Sequence, residues 1–138
     1  MSVLLVMLAF AQGSLPMTTL TKSDLSGVDH ASQVVVQTAA EWSALWKAHA
    51  PERPMPAVDF STNMLIAVFL GSRPTSGYSI EIRRITAGPD AVEVEYVEQQ
   101  PDPQTITAQI LTAPCHIVTI PRRPAVVKFV RLEGSPRD

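Results

Sequence analysis

The sequence predicts a mainly β fold of the α+β type, an antiparallel, sandwich-like sheet of about seven short strands with one packed helix over about residues 39–49. Apolar or alternating stretches of strand length recur along the chain, and turn residues separate them. Twelve prolines in 138 residues favour many turns and few helices. Only one stretch has the periodicity of an amphipathic helix.

The central strand is predicted at residues 64–70, an unbroken apolar run rich in β-branched side chains. The run is too short for a typical helix, which indicates a strand that is buried on both faces. In the next strand Tyr78, Ile80 and Ile82 alternate with polar residues. That period is typical of a strand with one exposed face.

The segment between these two strands is Gly71-Ser72-Arg73-Pro74-Thr75-Ser76-Gly77. Gly71 and Gly77 can adopt positive φ where the chain turns. Pro74 fixes its own φ, and the Thr75 and Ser76 hydroxyls can bond the local backbone. We therefore expect a rigid, polar loop between two anchored strands.

Before the central strand, the sequence predicts one strand and the helix. Residues 33–37 contain three consecutive valines, which favour a strand. Thr38 and Glu41 have the spacing of a capping box at a helix N-terminus, and Pro51 would end that helix. Four side chains fall on one helical face, which we expect to bury against a sheet: Trp42, Leu45, Trp46 and His49.

After the central strand, residues 78–85 are expected to turn at residues 87–90 and return as residues 92–96. Placing Ile82 opposite Val94 keeps both apolar sets on one face, so that register is predicted. The same register puts Arg83 opposite Glu93 on the exposed face. Three further strands are predicted, at residues 105–111, 115–120 and 126–132.

The N-terminal residues suggest export. Residues 3–11 are apolar and end in an A-x-A pattern, which is the length and ending of a signal-peptide h-region and is too short to span a membrane. We therefore expect residues 1–11 to be such an h-region and the protein to be extracytoplasmic or secreted. A cytoplasmic location is the alternative, because Lys and Arg are missing before the apolar stretch.

The remaining chain is expected to hold one domain. Residues 12–32 are polar and small and are interpreted as a linker, with one short strand near 17–22. Residues 33–132 form the predicted domain, and residues 133–138 a tail.

Composition and motifs argue against several kinds of chemistry. The net charge of −2 comes without a basic patch, which argues against nucleic acid as a partner, and the lone cysteine permits no internal disulfide. His30, His49 and His116 are far apart in sequence and match no metal motif. Cys115 and His116 are neighbours on a predicted strand, so their side chains would point to opposite faces. We therefore predict no catalytic residue, no metal and no cofactor.

The loop also carries a family resemblance. Gly71-Ser72-Arg73-Pro74-Thr75-Ser76-Gly77-Tyr78 resembles the G-x-x-P-T-x-G-Y core of the PrcB C-terminal domain, found in a subunit of a bacterial surface protease complex. The further similar stretches are Glu41-Trp42-x-x-x-Trp46, Val58-Asp59-Phe60 and Thr112-x-Pro114-x-x-Ile117-Val118. The resemblance covers about residues 33–130. It implies a non-enzymatic interaction domain that associates with, and stabilises, a secreted or surface protease.

Two interpretations of the loop are left open. As a recognition loop it would bind a protein partner through Arg73, Pro74, Thr75, Ser76, Gly77 and Tyr78. As a structural turn it would only set the register of its two strands. The sequence does not specify the oligomeric state.

Two alternative functions have some support in the sequence. The loop is similar to the Asn-Pro-Thr-Thr-Gly loop of chagasin-type cysteine protease inhibitors, with Arg73 in the place of Asn. A small hydrolase is the second alternative, and it would need two titratable groups that converge in a pocket.

Overall fold

The computed structural model describes residues 13–124 and 126–133, and within them seven strands and one α-helix form three layers. The predicted h-region, residues 1–11, lies outside the described residues, as does the predicted tail beyond residue 133. The strands are β1 (Thr18–Ser23), β2 (Ser32–Val36), β3 (Asn63–Phe69), β4 (Ser79–Ala87), β5 (Ala91–Gln99), β6 (Cys115–Pro121) and β7 (Val126–Leu132), and the helix α1 is Ala39–His49.

The strands form two sheets. One has the order β1-β6-β3-β2 with every neighbour antiparallel, and the other has the order β4-β5-β7. β4 and β5 are antiparallel, whereas β5 and β7 are parallel. The prediction of a mainly β, mainly antiparallel fold with one packed helix is therefore confirmed, and β5–β7 is the exception, a parallel pair. A parallel pair needs a long connection, and here that connection contains β6 of the other sheet.

Strand β3 is buried on both faces, as its apolar run predicted. Met64, Ile66 and Val68 pack into a core between the two sheets. Leu65 and Phe69 pack on the opposite face, against α1. Because side chains alternate along a strand, one strand supplies two separate cores.

The predicted helix and its cap are confirmed. Thr38 Oγ1 accepts a hydrogen bond from the Glu41 N–H at 3.1 Å, and the Glu41 carboxylate accepts one from the Thr38 N–H at 3.1 Å. The indole N–H of Trp42 donates to the Pro56 carbonyl at 2.9 Å, so the buried ring has its polar atom satisfied. The connector after the helix is thereby tied to the helix.

The predicted register of β4 against β5 is wrong. Ile82 lies opposite Tyr96 and Ile85 opposite Val94, and the register shifts between Ile82 and Arg84. Arg83 is the extra residue of this β-bulge. Since Ile82 and Ile85 both point into the core between the sheets, their spacing of three residues was the signal of the bulge. The ion pair between β4 and β5 is Arg84–Glu95 at 3.1 Å, not Arg83–Glu93, and Arg83 pairs with Glu81 of its own strand at 3.0 Å.

One further segment differs from its prediction. Residues 105–111 form an irregular loop and not the predicted strand, and Ile106 is 97% exposed. The short strand predicted near residues 17–22 is confirmed as β1, which is an edge strand of the four-stranded sheet. Among the described residues no helix has the length and apolarity that a membrane span requires.

Candidate functional site

The loop between β3 and β4 pairs with a second, distant loop. Arg73 and Thr112 exchange two backbone hydrogen bonds, of 2.7 Å and 2.9 Å. The Ser76 N–H donates to the Ala108 carbonyl at 3.1 Å, and the Ala108 N–H donates to Ser76 Oγ at 2.8 Å. We call residues 71–78 and 101–112 the paired loops. The hydrogen bonds hold both loops in one arrangement although neither has regular secondary structure.

Both glycines of the predicted loop adopt positive φ, +87° at Gly71 and +97° at Gly77. A Cβ atom added to Gly77 would lie 2.8 Å from Cβ of Pro101. A Cβ atom added to Gly71 would lie 2.9 Å from the backbone nitrogen of Ala31. Each position therefore requires glycine for two reasons. The backbone has positive φ, and the neighbouring atoms leave no room for a side chain.

Substitution of Gly77 by alanine should destabilise the fold by about 1–3 kcal/mol, because positive φ strains an L-residue and the methyl group meets Pro101. Urea unfolding followed by circular dichroism measures this change. Gly88→Ala is the matched control, since that glycine lacks positive φ and its added Cβ would be 3.3 Å from the Ala91 carbonyl oxygen. Equal losses for the two variants would contradict the structural role of Gly77.

The six residues predicted to bind a partner are not equally accessible. Pro74 is exposed, whereas Arg73, Thr75, Ser76, Gly77 and Tyr78 are half-buried. Part of the backbone polar surface of this loop is used by the second loop, for example the Thr75 carbonyl, which accepts from Thr112 Oγ1 at 2.9 Å. The side chains of Arg73 and Tyr78 remain open to a cleft.

The cleft has a volume of about 630 Å³ and lies between the paired loops and the ends of β5 and β7. Its lining includes Arg73, Tyr78, Glu98, Pro101, Arg131 and Leu132. No local pattern in the sequence predicted a place in this cleft for Glu98, Pro101, Arg131 or Leu132. They come from two strands and a loop that only the tertiary fold brings together.

Charges in the cleft are arranged in two ways. Arg131 Nη1 lies 3.2 Å from Glu98 Oε1, which forms an ion pair. The Arg73 guanidinium carbon lies 5.8 Å from the Tyr78 ring centroid, and Arg73 Nη1 donates to the Ser72 carbonyl at 2.9 Å. A cation above an aromatic ring is held in place and keeps its remaining N–H donors for other groups.

The second of the paired loops, whose Pro101 and Pro103 line the cleft, exposes three large apolar side chains. Ile106 is 97%, Leu111 75% and Ile110 54% exposed. We call these three side chains the apolar patch. Ile106 and Ile110 fall on one side of the strand predicted at residues 105–111, and in the irregular loop that forms instead both side chains are exposed.

Cys115 and His116 lie on opposite faces of β6, as strand geometry predicted. The Cys115 thiol is near His49 instead, with Sγ 3.9 Å from Nδ1, in the core below α1. Burial raises the pKa of this thiol to about 11. A thiol that stays protonated in a closed apolar core lacks the features of an activated nucleophile.

His49 is also a core residue. Its Nδ1 lies 2.8 Å from Ser26 Oγ, and burial, more than the nearby Arg53, lowers its pKa. Among the described residues no group of three or more His, Cys, Asp or Glu side chains could hold a metal ion.

Comparison with known families finds a match to part of the chain. Residues 64–121 match the family model described as PrcB C-terminal. The matched stretch starts in β3 and ends with β6, so it contains both paired loops. No curated protein and no solved structure is significantly similar to the chain.

Proposed function

We propose that this chain is a non-enzymatic interaction domain that associates with an extracytoplasmic protease and stabilises it, because residues 64–121 match the family model described as PrcB C-terminal. The paired loops are the proposed contact surface, and they contain the predicted residues Arg73, Pro74 and Tyr78. The family match supports association with a protein partner. The exposed apolar side chains of the second loop support the place of contact.

The apolar patch is the observation that carries this proposal. Exposed aliphatic side chains are normal when scattered singly, whereas several on one short segment are typical of a binding surface. The hydrogen bonds between Ser76 and Ala108 and between Arg73 and Thr112 order this segment before any partner binds. A partner would therefore lose little conformational entropy in docking there.

Glutamate substitutions in the apolar patch test the proposal. The full chain, tagged and expressed with its own N-terminus, is purified from the extracytoplasmic fraction, and the co-purifying proteins are quantified by mass spectrometry. We expect an identified protease to co-purify with the unmodified chain, and its recovery to fall about tenfold or more with Ile106→Glu plus Leu111→Glu.

Met55→Glu is the matched control, because Met55 is 44% exposed in the connector after α1, outside the paired loops. It should leave protease recovery unchanged. Absence of any enriched protease, or full recovery with the double variant, would refute the proposal. Inhibition of a papain-type protease by the purified chain would support the chagasin-like alternative instead.

A further inference from the structure

We propose that the cleft beside the paired loops binds an extended, mid-chain segment of the protein partner that presents one carboxylate side chain to Arg73. This inference rests on the proposed function in one respect, that the partner is a protein. It adds the chemical class of the segment that is recognised and the residue that recognises it.

Arg73 has the properties of a carboxylate receptor. Its guanidinium is held above the Tyr78 ring and by the bond from Nη1 to the Ser72 carbonyl. Among the described residues no carboxylate forms an ion pair with it. The planar guanidinium matches a carboxylate through paired N–H donors, and a side chain that is already positioned loses less entropy on binding.

The other charges of the cleft limit the ligand to one carboxylate at this place. Arg131 is already paired with Glu98 at 3.2 Å, so it offers less attraction to a second acidic group. Glu133 at the rim of the cleft would repel an acidic run. A single Glu or Asp in an otherwise uncharged segment fits this arrangement.

The walls of the cleft suit apolar neighbours of that carboxylate. Tyr78, Pro101 and Leu132 line the cleft, and its volume of about 630 Å³ is within the range of ligand sites. Since Pro101 belongs to the same loop as the apolar patch, a folded partner seated on the patch could reach the cleft with a surface loop. A Glu or Asp side chain on such a loop, and not a chain terminus, is therefore the carboxylate that we expect at Arg73.

Three short peptides titrated into the full, ¹⁵N-labelled chain test this inference. The first is acetylated and amidated with one Glu between two Leu residues, the second has Gln in place of Glu, and the third is the Gln peptide with a free C-terminal carboxylate. We expect the Glu peptide to bind about tenfold more tightly than the amidated Gln peptide, since a charged pair replaces a neutral one. The shifted amide signals should include Arg73, Tyr78 and Leu132.

Arg73→Gln should reduce this preference to about twofold or less, whereas Arg123→Gln should preserve it, since Arg123 is half-buried in the turn before β7 and outside the cleft. Well-dispersed spectra establish that each variant is folded. Equal binding of the two amidated peptides, or an unchanged preference in Arg73→Gln, would overturn the inference. Tightest binding of the third peptide would overturn the mid-chain assignment. If none of the peptides binds while protease co-purification still depends on the apolar patch, this inference about the cleft is wrong and the proposed function is retained.

Discussion

Replacing Trp42 with alanine is expected to lower the free energy of unfolding by about 3–5 kcal/mol. The Trp42 ring is 1% exposed and packs edge-on against Trp46, with centroids 5.3 Å apart. The substitution would leave a cavity between α1 and the four-stranded sheet and remove the donor to the Pro56 carbonyl. A domain is stable by only about 5–15 kcal/mol, so the variant would lose a large share of its stability.

Urea unfolding monitored by circular dichroism measures the loss. Leu45→Ala is the matched control on the same helix, since Leu45 is only half-buried and packs at the margin of that core. Trp42→Phe keeps much of the packing and removes the indole donor, so its cost should be intermediate. A loss for Trp42→Ala no greater than that for Leu45→Ala would show that the ring does not anchor the helix.

Replacing His116 with leucine is expected to destabilise the protein by about 1–3 kcal/mol at neutral pH, because a buried backbone donor loses its partner. The Ile82 N–H donates to His116 Nδ1 at 2.9 Å, so the ring proton of neutral His116 is on Nε2, 2.9 Å from Thr19 Oγ1. The ring thereby joins β6 to β4 and β1. The pairing of β1 with β6 shifts register between Thr19 and Thr21, and the pairing of β4 with β5 shifts just after Ile82. Both hydrogen bonds of the His116 ring therefore lie at irregularities of the neighbouring strands.

The same geometry makes stability depend on pH. Burial first, and Lys22 next, lower the pKa of His116 below its usual 6.5, with Glu81 opposing. On acidification, His116 therefore takes up a proton at a higher pH in the unfolded chain than in the folded protein. The stability that neutral His116 contributes is fully present above about pH 6.5. It is lost as the pH decreases from there toward the lower pKa of the folded state. His49, whose pKa is lowered as well, adds a loss in the same direction.

Unfolding midpoints in urea between about pH 8 and pH 5 measure both effects. His116→Leu should start from a lower midpoint and decline less on acidification than the unmodified chain. His30→Leu is the control, because that side chain is 75% exposed and should change neither the midpoint nor the slope. An identical decline in His116→Leu would show that the pH dependence arises elsewhere.

The elements that the sequence predicted correctly depend on local signals. The Thr38–Glu41 spacing and the helical face of Trp42 and Trp46 are complete within one segment, so they indicated α1 with its cap. The apolar run of residues 64–70 likewise identified β3. The positive φ at Gly71 and Gly77 followed from the turn chemistry of one loop.

The errors have non-local causes. The bulge at Arg83 is stabilised by His116, which lies on a strand of the other sheet. The segment of residues 105–111 alternates like a strand, yet Ile106 and Ile110 are exposed and the hydrogen bonds of Ala108 go to Ser76. The cleft combines Arg73 with Arg131, and nothing near either residue predicts their proximity.

Because β3 is buried on both faces, hydrophobicity alone specifies its register against the neighbouring strands only weakly. A strand with one polar face cannot shift by a residue without burying polar groups, but a strand that is apolar on both faces can. Gly71 supplies the missing constraint, because only glycine tolerates its φ of +87° next to the backbone of His30 and Ala31. A slipped chain would force Leu70 or Ser72 into that position. The glycine thereby disfavours off-register traps during folding, where a long apolar strand would otherwise invite aggregation.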